Sequence, residues 1–401
     1  MKKYRFLYFL IFSFFIGVFF TLLVYIGIWE KFVLGLRTVS FWMWMLYGLI
    51  AFYVTLTFHE LGHFISFKSQ GIKLRALYLT VFVFYKTIDG WRFTIKPKLW
   101  VLFGGLVVPD LELIEDEKTY YETSRKFAKS LMAAPIVTIS FLGLSIVSFI
   151  LVLTISQSYG FIGMITVFNF YVVGLSMLYI YTFKLSNQNF YGDFAAYKKM
   201  KSDEVFRFTQ INQYMSFRLD QDHVFSRYMW EKSKELLKTH KMRHDMIYTM
   251  LMTAYVEGIL YENMGMDEEI DKMITKLPVT FYLRSEHGLT MAYDLCLYHY
   301  KTGRVKRAYE LFEIVEKKQS KKIEEDIRIY LSKKTKHVLN IEYDYAYLND
   351  KKNYPYGHSW IFEPIIDIYK NMDIIHEPLP FIVYEENVDL KPVEEDINNN
   401  I

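Results

Sequence analysis

The chain has 401 residues, of which 52% are hydrophobic and 18% aromatic, and a formal net charge of +3. So mild a charge, with no basic cluster, argues against a nucleic-acid partner. The single cysteine, Cys296, excludes a disulfide framework and a cysteine-ligated metal site.

The apolar residues lie in blocks, the pattern of a chain that sits in a lipid bilayer. Met1-Lys2-Lys3-Tyr4-Arg5 precedes a run without charge from Phe6 to Trp29. At about 1.5 Å per residue this run crosses a hydrocarbon core about 30 Å thick. A cleaved signal peptide would have a shorter apolar region and a small-x-small site, which Val24 to Trp29 does not offer. A retained helix with its basic end in the cytoplasm is therefore expected, and residues 1–40 form an N-terminal transmembrane helix and external loop. A second span is expected from Phe41 to Phe67, running inward. It carries His59-Glu60-Leu61-Gly62-His63 in its cytoplasmic third and is followed at once by Lys68, Lys73 and Arg75.

Residues 71–122 change character. Leu77 to Tyr85 is rich in aromatic and β-branched residues, Asp89-Gly90 is a turn signal, and Trp91 to Lys96 alternates, so a β-hairpin is expected. Leu99 to Pro109 is apolar but short and broken by Gly104, Gly105 and Pro109, which suits a re-entrant or interfacial loop. Asp110 to Glu122 reads as a solvated acidic loop. A third span from about Leu131 to Ile155 opens with Ala133-Ala134-Pro135, and a fourth runs from Phe161 to Phe183, where Gly163, Gly174 and Ser176 would allow close helix packing. Four spans put both termini in the cytoplasm, and the external loops hold only Lys31 and Arg37 as cations.

Residues 198–393 contain no further span and read as a cytoplasmic all-α domain. Ala292, Leu295, Cys296, Gly303, Ala308 and Phe312 fall at the spacing of a tetratricopeptide (TPR) helical hairpin, although His299 stands at the repeat's usual Tyr. The tail 394–401 is expected to be disordered. The expected fold is thus an α-helical polytopic membrane protein, with four transmembrane helices, a small β-hairpin and re-entrant insertion, and a cytoplasmic TPR-like domain.

The chemistry centres on His59 and His63. Histidines four apart share one helix face and can grip one zinc ion, with Glu60 placed to act as general base. Ionisable residues inside an apolar span are costly and mark function. A structural reading, two histidines and a glutamate satisfying one another in a bundle, is the alternative. A hydrolytic zinc site needs a third protein ligand and an open position. Asp193, just past the fourth span at the same membrane face, is favoured; Asp110, after the Gly104-Gly105 loop, is its rival. Asp193 could instead cap the segment Phe194 to Met200. The remaining histidines, from His223 to His376, are scattered, and His240 and His244 sit beside Lys241 and Arg243 on a charged face.

Residues 41–197 resemble the site-2 protease family of intramembrane zinc metalloproteases. His59-Glu60-Leu61-Gly62-His63 matches its HExxH motif, Gly104-Gly105 its Gly-rich membrane-associated segment, and Ala133-Ala134-Pro135 the Ala-Gly-Pro opening of its second core helix. Asn187 to Asp193 stands where members carry Asn-x-x-Pro and Asp-Gly, here without the proline and with Gly192 before Asp193. The resemblance implies a zinc metalloprotease core at 41–197, with Zn2+ held by His59, His63 and Asp193. Glu60 would be the general base toward zinc-activated water, and Gly104, Gly105, Asn187 and Asn189 would contact substrate. It implies a multi-pass cell-membrane protein cutting a peptide bond in or near the transmembrane segment of a membrane-bound peptide or protein. The helical domain would receive a protein partner. The competing function is a non-catalytic membrane-anchored scaffold or peptide-immunity protein that keeps the same fold.

Overall fold

The structure is a computed structural model that describes residues 27–187, 191–219 and 225–366, with isolated positions between 10 and 25. Most of the expected first span, Asn189 and the expected disordered tail 394–401 lie outside the described residues. A short helix, α1 (Ile28–Arg37), leads into α2 (Phe41–Ser69), which carries the HExxH motif. After a sheet come α3 (Glu117–Ile155) and α4 (Tyr159–Thr182). Among the described residues, α2, α3 and α4 are the three helices long and apolar enough to cross a membrane. Their outward side chains fit that solvent: Phe41, Trp42, Leu144 and Ile155 are exposed, a surface costly in water.

α3 corrects the expected third span. Its 39 residues extend about 58 Å, nearly twice the hydrocarbon thickness. The helix begins at Glu117, where the Asp116 carboxylate accepts from the Thr119 amide at 2.7 Å, so Pro135 sits deep inside it rather than near its start. The first turns carry Glu117, Lys118, Glu122, Arg125, Lys126 and Lys129 and so extend beyond the apolar part. The preceding acidic segment is only partly solvated, because Leu111 and Ile114 are buried in the helical core below.

Close helix contact is set by glycine. A Cβ on Gly62 would stand 2.6 Å from the Ala134 Cα, and one on Gly35 would stand 3.0 Å from the Gly163 amide nitrogen. α2 therefore touches α3 backbone to backbone, and α1 touches α4 in the same way. Of the small residues expected to serve packing, Gly163 does so and Ser176 is fully buried, whereas Gly174 faces open space.

The insertion is a four-stranded antiparallel sheet in the order β3-β2-β1-β4, made of β1 (Lys73–Leu79), β2 (Phe82–Thr87), β3 (Gly90–Ile95) and β4 (Gly105–Asp110). Two expectations change here. The run 77–85 is not one strand, since Thr80 turns with φ of +49° and splits it. The supposed re-entrant loop is a short 3-10 helix of two turns at Pro97–Leu102 followed by β4, which pairs with β1 from Leu79↔Gly105 to Lys73↔Asp110. Backbone groups there find partners in the ladder and need no cavity. The sheet lies against α2 through aromatic contacts of Phe52 with Trp100 and Phe103 and of Tyr53 with Phe82, and through a 3.1 Å hydrogen bond from Thr80 to the Tyr53 hydroxyl.

The rest is helical: α5 (Asp193–Ser202), α6 (Glu204–Met215), α7 (Arg227–Thr239), α8 (Met246–Tyr261), α9 (Glu268–Thr275), α10 (Val279–Tyr282), α11 (Glu286–Lys301), α12 (Val305–Lys318), α13 (Glu325–Val338) and α14 (Tyr345–Asn349). The residues read as a repeat hairpin fall on α11 and α12, which turn at Gly303 with φ of +82° and bury Ala292, Leu295, Cys296 and Ala308. One apolar cluster runs from Phe67 and Phe127, at the ends of α2 and the α3 extension, through α5 and α6 into these helices. Residues 357–366 return to the sheet. Arg75 on β1 donates to the carbonyls of Phe217 and Ile365 at 3.1 and 3.3 Å, Lys96 pairs with Glu363 at 2.9 Å, and Phe217 packs on Phe362.

Replacing Gly62 by alanine should force α2 and α3 apart and cost about 1–3 kcal/mol, as overpacking does in cores. The matched Gly174→Ala change should be nearly silent. Thermal unfolding of the two variants in the same detergent checks the contrast.

Candidate functional site

His59 and His63 occupy one face of α2, buried to 7% and 9% exposure. Each ring is fixed from behind by α3. His63 Nδ1 lies 2.7 Å from the backbone carbonyl of Ser130, and His59 Nδ1 lies 2.9 Å from the Thr138 hydroxyl. A carbonyl can only accept, so His63 carries its proton on Nδ1 and, in the neutral ring, leaves Nε2 as a lone-pair donor. The His59 ring is also stacked on Tyr179 and Phe183, with centroids 5.5 and 5.2 Å away.

Both Nε2 atoms face Asp193. His59 Nε2 is 3.3 Å from one carboxylate oxygen and His63 Nε2 is 3.6 Å from the other. Asp193 is held there by the way the chain leaves α4. The Gly192 amide donates to the Leu185 carbonyl at 2.9 Å, and the amides of Phe194 and Ala195 both reach back to the Phe183 carbonyl. A side chain on Gly192 would collide with the backbone at Thr182 and Phe183. The glycine before the aspartate is thus what lets α5 start against the end of α4. Asp193 opens α5, and the N-cap is Gly192, so the capping role considered for Asp193 falls to its neighbour. Burial alone would raise the Asp193 carboxyl, yet the His63 and His59 imidazoles hold it well below the usual carboxylate range.

Glu60 is 3% exposed, and its Oε2 is buried without a hydrogen-bond partner among the described residues. β4 begins directly over it: a Cβ on Gly105 would lie 2.5 Å from the Glu60 Cγ and 2.6 Å from its Cδ. Gly104 precedes that contact, and its carbonyl accepts from the Thr80 amide at 3.1 Å. Asn187 is exposed on the segment leading to Asp193.

The structure brings His59, His63 and Asp193 together, with one ligand atom of each within 4.8 Å of the others. It does not bring Asp110. That residue lies at the opposite end of β4 from Gly105, about 17 Å along the strand, and accepts from the Leu219 amide at 3.0 Å. A metal suits the three. Ligand atoms about 2.1 Å from one tetrahedral ion stand roughly 3.4 Å apart, close to the 3.3 and 3.6 Å between each histidine Nε2 and the Asp193 carboxylate. With both rings neutral their lone pairs would repel the Asp193 carboxylate, so the cluster is built to take up either a proton or a cation there, and two imidazoles with a carboxylate are a donor set that zinc accepts.

The matching family model spans residues 47–336 and is that of peptidase family M50, the site-2 protease family. The chain belongs to that family. M50 peptidases are membrane metalloproteases that use zinc. The match continues well past residue 197, where the resemblance read from motifs stops, and takes in α5 to most of α13. No curated protein and no solved structure is significantly similar to this chain.

Sequence reasoning missed Ser130, Thr138, Tyr179 and Phe183. The spacing 130, 134, 138 repeats every four residues around Ala134, so one α3 face was open to inference once Gly62 was taken as a contact point.

Removal of Asp193 by Asp193→Ala should abolish zinc retention through purification, whereas Asp110→Ala should retain it. Thr138→Val should weaken zinc affinity by about 10–100-fold, the usual effect of losing a ligand's outer hydrogen bond. Metal analysis of the purified variants, with a chelator titration for the third, measures all three.

Proposed function

We propose that this M50 peptidase hydrolyses a peptide bond in or near the transmembrane segment of a membrane-bound peptide or protein. The observation that carries the reading is the Glu60 carboxylate, buried and unpaired at Oε2 beside two imidazoles that converge on Asp193. His59, His63 and Asp193 would hold zinc, which when bound supplies Lewis acidity toward a water and the scissile carbonyl. Glu60 takes the proton from the attacking water and passes it to the leaving amine. Ser130 and Thr138 keep the rings in place, and His63 keeps its Nδ1 proton throughout. The packed helices and the sheet exclude bulk water from Glu60.

A transmembrane substrate is helical, and its peptide bonds are locked in i to i+4 hydrogen bonds that must open before attack. Strand β4 is paired on one side by β1 and stands at the sheet edge beside Glu60. That edge suits an unwound segment, which would add to it as a further strand. Gly105 lets β4 start directly against Glu60, so a segment added to this edge would lie beside the carboxylate, and Gly104, Gly105, Asn187 and Asn189 would contact it. The helical region beyond residue 198, read as TPR-like, would receive a protein partner. The chain would span the membrane four times with both termini in the cytoplasm.

A non-catalytic scaffold or peptide-immunity role is favoured by one feature, the missing proline and reversed Gly192-Asp193 order. Glu60→Gln separates the two. It should lower cleavage of a membrane-bound substrate by at least about 10²-fold, the scale of a lost general base, while zinc content and thermal stability hold. Unchanged biological output with Gln at position 60 would favour the scaffold. A reporter fused after Lys198 should read as cytoplasmic, and an external signal would overturn the orientation.

A further inference from the structure

Outside the metal centre the described residues contain a second gathering of ionisable side chains, in the helical region. Helices α8, α11 and α13 pack side by side with α11 in the middle. Asp294 of α11 lies on the floor between its neighbours, 7% exposed. One wall is α8, which presents Glu257 and, one turn on, Tyr261. The other is α13, with Tyr330 and, one turn on, Lys334.

The walls meet through a 3.3 Å hydrogen bond from Lys334 Nζ to the Tyr261 hydroxyl. Lys334 makes no ion pair within 4 Å with either carboxylate, and neither Asp294 nor Glu257 has a hydrogen bond or ion pair among the described residues. Glu257 is exposed on the outer side of α8, and the surrounding protein and the neighbouring Asp294 charge push its carboxyl up to about 7. The Asp294 carboxyl is likewise pushed up by burial, to about 6. Elsewhere in this region buried or half-buried carboxylates are satisfied: Asp271 holds Arg304 and Tyr298, Asp267 holds Lys238, and Glu204 holds Lys232. The groove is the exception.

Two carboxylates, one shared ammonium already engaged with a phenol, and two tyrosine rings suit a guest that brings a positive charge and an aliphatic stem. We propose that the groove between α8, α11 and α13 binds a lysine- or arginine-bearing peptide segment, with Asp294 and Glu257 pairing its cation. We commit to the cytoplasmic flank of the membrane-bound substrate as its source. This rests on the protease reading above. Segments flanking a transmembrane helix on the cytoplasmic side are rich in lysine and arginine, the charge that would balance two carboxylates served here by the single cation Lys334, and Tyr261 and Tyr330 offer faces on which such a side chain can lie.

The guest and its cleavage are separable experimentally. Glu60→Gln full-length protein in detergent, its fold unaffected by the question of catalysis, is titrated with a fluorescent peptide of alternating lysine and serine, and with glutamate–serine and glutamine–serine counterparts. The lysine peptide should bind, the other two should not, and added salt should weaken it. Asp294→Asn should weaken binding by at least about tenfold, as loss of a charge-assisted pair does, with Glu257→Gln acting in the same direction. Lys334→Gln removes the competing cation and should tighten it. Asparagine at position 294 relieves an unpaired buried carboxylate, so that variant should fold at least as stably as the parent, and thermal unfolding checks this.

No preference for the lysine peptide, or equal binding by Asp294→Asn, overturns the proposal. Binding that emerges only after Lys2, Lys3 and Arg5 are replaced by glutamine would name this chain's own basic N-terminus as occupant and overturn the assignment to substrate. None of these readouts depends on proteolysis, so an active protease with an empty groove and an inactive protein with a filled one give different results.

Discussion

The close approach of α2 and α3 at Gly62 and Ala134 is the constraint from which the site follows. The two helices touch backbone to backbone, so residues one turn either side of Ala134 fall opposite residues either side of Gly62. Ser130 meets His63 and Thr138 meets His59. A wider separation would leave both imidazoles free to rotate. As it stands, two ring nitrogens are committed to α3 and two are aimed at Asp193, which leaves the pair able to serve as half of a coordination set. The candidate third donor, Asp193, arrives by a separate device, the fold-back of the chain after α4, which works because Gly192 has no side chain.

Much of the site was legible in the sequence, because its parts obey short-range rules. Histidines four apart on a helix must share a face, and charged residues inside an apolar run rarely lack a reason. Asp193 was legible as a candidate only through proximity, since it follows a helix ending at the same membrane face. What selected it over Asp110 was tertiary: β4 carries Asp110 away from Glu60, whereas the 183–192 fold-back carries Asp193 toward the histidines. Local reading faltered where pairing decides structure. Gly104, Gly105 and Pro109 suggested broken backbone, but strand β1 offers partners that no local pattern shows, and the segment becomes an edge strand. Pro135 suggested a helix start, but Asp116 starts the helix nearly twenty residues earlier, and an apolar interior with a close neighbour tolerates the proline.

The same edge strand links two functions of the fold that the sequence treats separately. β4 pairs with β1 along one side, and its first residue lies on the Glu60 side chain. Its position is therefore part of the environment of the Glu60 carboxylate. A carboxylate buried without a partner is costly, and here it is retained where α2, the sheet and the start of α5 meet. Stability has been given up at Glu60 Oε2, as it has at Asp294, among described residues whose other buried carboxylates are mostly paired.

Arg75 gives this arrangement a mechanical character. It is anchored on β1, the strand that carries β4, and grips the carbonyls of Phe217 and Ile365, which lie 142 and 290 residues further along the chain. Lys96 and Glu363 add a second tie across the same face. The sheet is thereby riveted at one side to the chain just after α6 and to residues 363–365, and rests on Glu60 at the other. The strand over Glu60 therefore shares one sheet with the ties to Phe217, Glu363 and Ile365, so the placement of those distant segments and the placement of β4 are set together.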